Sequence, residues 1–180
     1  MRTAGLVVGL TALAVVAWFA FSGQLRPATF GYDRSGLLDA WNQAALAQNQ
    51  PGFIVREFQW TDEASGVFGF AFSETMSLIG RVDDTPLQEV EELALVGSIP
   101  EDGLDTIVAG MDLVVAVTEP DLDAEARADV LAELTVTGVV PADPSRRVTI
   151  DTTRYRVAAD PDNGILGIGA TPVSAEGVSE

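Results

Sequence analysis

Residues Thr3–Gly23 read T-A-G-L-V-V-G-L-T-A-L-A-V-V-A-W-F-A-F-S-G, without one charged side chain, between Arg2 and Arg26. About 20 such residues, rising ~1.5 Å each as a helix, cross the ~30 Å hydrocarbon layer of a bilayer. A helix apolar on every side has no face to turn to water, so a terminal run of this kind constrains the chain more than any other feature. Leu6, Val7, Val8, Leu10, Leu13, Val15 and Val16 supply the lipid-facing bulk. Trp18, Phe19 and Phe21 gather at the far end, where aromatic rings favour the membrane interface. Arg2 and the α-amino group lie on the near side, which places the N-terminus in the cytoplasm and residues 24–180 in the periplasm or outside the cell.

A cleaved signal peptide also starts with positive charge and an apolar core, of about 7–15 residues, and ends in small residues before the cut. Ala20-Phe21-Ser22 and Val15-Val16-Ala17 match that ending only in part, and the run is longer than such a core. The expectation is therefore a retained single-pass anchor over residues 1–23; cleavage would make the same chain a secreted protein. With no cysteine in the sequence, a lipid-modified cysteine is excluded.

The remainder is organised as a linker over 24–31 containing Pro27, an extracytoplasmic domain over 32–173 and a flexible polar tail over 174–180. All 27 acidic residues lie beyond residue 30, against eight arginines, a net of −19 for this part. That charge repels phosphate backbones and excludes nucleic acid as a partner. The chain contains no Lys, no His and no Cys. Serine–histidine triads, imidazole or thiolate metal sites, thiol nucleophiles, Schiff bases and P-loops are all excluded with them. No catalytic residue, metal site or cofactor is expected, and carboxylate chemistry is the only enzymatic route left.

Periodicity predicts an α+β domain, one antiparallel sheet with a layer of about three helices. Asp33 or Ser35 caps a first helix, with Leu38, Trp41 and Ala45 inward, ending at Pro51-Gly52. Phe53–Trp60 reads as a strand, Thr61–Gly66 as a turn and Val67–Phe72 as a second strand with Phe68, Phe70 and Phe72 on one face. Ser77–Val82 is a third. Residues 85–96 fit a helix capped by Thr85 or a returning strand; the apolar run Leu93–Gly97 favours the strand. Glu101–Val117 carries Leu104, Ile107, Val108, Met111, Val114 and Val115 at helical spacing, and Asp121–Leu134 is a further helix after Pro120. Thr135–Val140 is extended, Arg147–Ala158 a strand, Asp160–Gly164 a turn and Ile165–Val173 the last strand.

Four groups stand out as candidate sites. Arg146, Arg147, Arg154 and Arg156 place half of the arginines beyond residue 30 within eleven positions of an acidic chain. Guanidinium groups grip carboxylates or phosphates with paired bonds, so these residues are the candidate ligand-binding set, weighed against internal pairing with Asp and Glu. Asp160, Asp162 and Asn163 resemble the start of a calcium loop, but Gly164 and the missing glutamate at the twelfth position break its spacing, which leaves a turn. Glu119, Asp121, Asp123 and Glu125, with Asp83-Asp84, could form a cation site or a carboxylate pair, or could simply serve helix N-termini. Phe53, Phe58, Trp60, Phe68, Phe70 and Phe72 form either core or a pocket for an apolar molecule.

The functional expectation is a membrane-tethered, non-enzymatic binding or adaptor domain of the cell envelope. It is held in the bilayer by residues 3–23 and takes an envelope protein or a small anionic ligand as partner. The alternatives are a carboxylate-based envelope hydrolase and a carrier of an apolar ligand.

Overall fold

The computed structural model describes residues 28–134, 147–160 and 162–173. The expected anchor, the 174–180 tail, the extended segment 135–140 and Arg146 lie outside the described residues.

Asp33 caps helix α1 (Arg34–Ala47) by accepting from the Gly36 amide at 2.7 Å. Its buried stripe is Leu37, Trp41 and Ala45, so Leu37 takes the place expected of Leu38, which packs half-buried beside it. A 3₁₀ turn, Pro51–Phe53, follows. The strand expected from Phe53 to Trp60 is mostly absent, and for a specific reason. The Asn42 side chain takes both the amide and the carbonyl of Val55, at 2.9 and 2.8 Å, and the Trp41 indole donates to the Phe53 carbonyl at 2.7 Å. Those backbone groups are bound to α1 and unavailable to a ladder. Strand β1 is therefore Gln59–Asp62, overlapping the expected turn, which contracts to the 3₁₀ turn Glu63–Ser65 and left-handed Gly66.

β2 (Val67–Ala71), β3 (Ser77–Val82) and β4 (Val90–Ser98) complete an antiparallel meander. Residues 90–98 are thus strand, and Thr85 sits in the β3–β4 turn, donating to Asp83. A single helical turn, α2 (Ile99–Asp102), is divided by Gly103 (φ +82°) from α3 (Leu104–Thr118). That break moves the start of the main helix later than Glu101. Asp123 caps α4 (Ala124–Glu133) through the Ala126 amide at 2.9 Å. The single strand expected over 147–158 is two, β5 (Arg147–Ile150) and β6 (Thr153–Asp160), folded back at Asp151-Thr152. Asp151 has φ +45°, a left-handed conformation that Asp tolerates better than most residues and that reverses the chain in two positions. β7 (Ile165–Pro172) follows the Asp160–Gly164 turn.

The sheet order is β1-β2-β3-β4-β7-β6-β5, antiparallel throughout. Two meanders, each preceded by helix, meet where their last strands β4 and β7 pair. Leu93, Leu95, Leu166, Ile168, Tyr155 and Val157 point to one face, where α3 crosses the central strands and α1 packs beside α3. Close approach there depends on two glycines. A Cβ at Gly110 would stand 2.8 Å from Leu95 and Phe53, and one at Gly80 would enter the Phe68 ring at 2.3 Å. The domain is α+β, a sheet with about three helices against one side.

Candidate functional site

The alternation that sends Val148, Tyr155 and Val157 into the core sends Arg147, Arg154 and Arg156 to the opposite face. Arg147 lies directly across from Arg156, and Arg154 is flanked by Thr149 on β5 and Thr171 on β7. Neighbouring positions on a sheet are ~5–7 Å apart, so three guanidinium groups share a small area. Arg147 and Arg154 are exposed and Arg156 is half-buried. Burial lowers the Arg156 pKa, the Glu92 carboxylate opposes that shift, and Arg147 adds to it. Like charges directly opposite on a ladder are destabilising. The structure thus brings together three of the four arginines singled out in the sequence.

Three other arginines are committed internally, while Arg56, in the loop before β1, is exposed like Arg147 and Arg154. Arg127 pairs with Asp112 at 3.0 Å and donates to the Leu122 carbonyl. The Arg34 guanidinium lies 4.2 Å over the Trp60 ring. Arg81 binds two carboxylates, Glu91 at 2.6 Å and Glu92 at 2.8 Å. Among the described residues, no ion pair holds Arg147 or Arg154.

The Arg81 arrangement comes from a register shift that sets Arg81 against Glu92 but Val82 against Val90. One extra residue on β4 makes a bulge, which lets successive side chains serve one guanidinium. Glu91 and Glu92 are each only 4% exposed. Burial raises the Glu91 pKa; Arg81 pulls it back, and Glu92, Asp83 and Asp84 raise it further. Asp83 and Asp84 therefore belong to this cluster and not to the Glu119 group with which the sequence grouped them. A run of acids such as E-V-E-E gave no sign of a bulge, so this pairing was not visible in the sequence.

The remaining candidates resolve as follows. Asp123 is the α4 cap. Asp160 accepts from the Asn163 amide and side chain, which lowers its pKa and makes the segment a turn. Among the described residues, no three carboxylates are grouped to hold a metal ion. Phe53, Phe58 and Phe68 are buried and pack with Trp60, Phe70, Phe72 and Trp41 at centroid distances of 5.1–6.2 Å, as core under α1. Glu119 sits at the end of α3 rather than at a helix start, beside Thr153 and Tyr155. No helix among the described residues is long and apolar enough to cross a membrane.

No protein-family model, no curated protein and no solved structure matches this chain.

Proposed function

We propose that the chain is a membrane-tethered, extracytoplasmic binding domain without enzymatic activity, and that Arg147, Arg154 and Arg156 form its recognition surface for an acidic segment of an envelope protein. The observation that carries this reading is the contrast among the arginines. Arg34, Arg81 and Arg127 are used within the fold, and Arg56 is a single exposed arginine in the loop before β1. Arg147 and Arg154 stand exposed, with Arg147 set against a third arginine, in a chain of net charge −17. Arg156 has the Glu92 carboxylate acting on it, so the exposed pair Arg147 and Arg154, set beside a third like charge, is the part of this face open to an acidic partner.

An extended peptide repeats its side chains every ~6.8 Å on one face, the spacing of Arg154 and Arg156 along β6, so alternate carboxylates match them. Residues 3–23 hold the domain at the membrane, where such a partner would meet it. The absence of Lys, His and Cys supports a role without turnover.

The test is fluorescence anisotropy of a labelled hexaglutamate peptide with the full chain in neutral detergent micelles. Binding is expected, weakening as salt rises from low ionic strength because exposed charges are screened beyond ~10 Å. Arg147→Ala with Arg154→Ala should weaken it at least tenfold, at ~1 kcal/mol or more per charged contact. Equal binding by wild type and variant would remove the arginines from the reading.

A further inference from the structure

A second feature stands independently of that reading, where the end of α3 meets the β5–β6 hairpin. Glu119 is the C-terminal cap residue of α3 and is only 9% exposed. Among the described residues, its Oε1 is buried without a hydrogen-bond partner. The Thr153 hydroxyl is its hydrogen-bonding neighbour. Beside it, Tyr155 and Thr118 share a hydrogen bond of 2.7 Å, and the Thr118 hydroxyl also donates to the Val114 carbonyl at 2.8 Å. Tyr155 is therefore the donor to Thr118. Both Thr153 and Tyr155 belong to β6, so this polar cluster joins the helix end to the hairpin that carries the arginines.

The surroundings are hostile to a charged carboxylate. The C-terminal end of a helix carries partial negative charge. Asp121 in the α3–α4 turn and Asp151 in the β5–β6 turn add to it, and among the described residues no positive group enters the balance. Arg127 on α4 is taken up by Asp112 and the Leu122 carbonyl. Burial raises the Glu119 pKa above 4.5, and the two aspartates raise it further against the Thr153 hydrogen bond.

We infer that Glu119 is a proton-operated latch: as the neutral acid it seats the β5–β6 hairpin on the end of α3, and on losing its proton it seeks water and loosens that corner. The direction follows from linkage. Below about pH 4.5 the acid is protonated in both closed and open forms and favours neither. As pH rises above that value the open form ionises first, so the closed corner loses stability, until Glu119 is ionised in both forms.

Hydrogen–deuterium exchange of the full chain in neutral detergent micelles tests this, with times scaled for the pH dependence of chemical exchange. In the wild type, protection of amides 147–156 and 115–123 should fall about tenfold from roughly pH 4 to pH 8. Glu119→Gln, which keeps the shape and cannot ionise, should hold the acid-limit protection throughout. Equal falls in both proteins, or no fall in the wild type, would overturn the latch. The wild type alone gives a second reading. The carboxyl ¹³C shift of Glu119 should titrate together with the loss of protection, and a Glu119 ionised over the whole range would also overturn it.

Discussion

Replacing Arg81 with Met keeps most of the aliphatic stem and removes the charge that holds Glu91 and Glu92. Both carboxylates are 4% exposed, and three contacts of 2.6–2.9 Å tie them to this one guanidinium. Breaking a buried pair by removing one partner costs ~3–5 kcal/mol, because the other charge is left buried. Here Glu91 loses its cation, which argues for that range, while Glu92 keeps the favourable field of Arg156. Against that, the Arg81 side chain is 29% exposed, so water already screens part of the attraction. The expected loss is ~3 kcal/mol, measured by urea unfolding of the full chain in neutral micelles at pH 7. Acid should narrow the gap. Glu91 already has a raised pKa with Arg81 present, and removing Arg81 raises it further. Protonation then relieves the variant at a pH where the wild type gains nothing. Adding Glu91→Gln and Glu92→Gln to Arg81→Met should restore most of the loss at pH 7. A variant within ~0.5 kcal/mol of wild type, with no pH-dependent recovery, would refute the view that the bulge gathers a buried charge cluster.

Three further outcomes follow from the packing and from the proposed anchor. Gly80→Ala drives a Cβ into the Phe68 ring, 2.3 Å away across β2–β3, and should cost ~1–3 kcal/mol by thermal or urea unfolding. Asn42→Ala leaves the Val55 amide and carbonyl without the partners that hold the chain to α1; a loss of ~2 kcal/mol and faster exchange of amides 53–57 are expected. Alkaline washing of membranes, with intact mass of the retained protein, should find the full-length chain in the pellet; a shortened, soluble chain would instead identify residues 1–23 as a cleaved leader.

The local parts of the fold were legible where short-range chemistry decides. Asp33, one of the two caps expected for the first helix, is its cap, whereas the helix expected from Asp121 starts only at Ala124, after its cap Asp123. β2 and β3 follow their alternating apolar residues. What the sequence did not disclose depends on contacts made at a distance. The aromatic run after Pro51 has every local preference for strand, yet Asn42 captures its backbone. The turn at Asp151 carries no glycine, so β5 and β6 read as one strand. Clustering of the arginines was visible as spacing, and the shared face of Arg154 and Arg156 as strand alternation, but bringing Arg147 beside them required the register of β5 against β6. The raised pKa of Glu119 was hidden because an acid next to Pro120 looks the same whether it begins one helix or ends another.

The central claim is that the arginine-bearing face receives an acidic protein partner at the membrane. Photocrosslinking in intact cells tests it most directly, with the probe at Thr149, between Arg147 and Arg154 on that face, or at Leu46, 68% exposed on the helix side. The account predicts a discrete adduct from Thr149 at an Asp- or Glu-rich segment of one partner, none from Leu46, and loss of the adduct when Arg147 and Arg154 become Glu. An adduct equally strong from both positions, or one that survives the charge reversal, would contradict it.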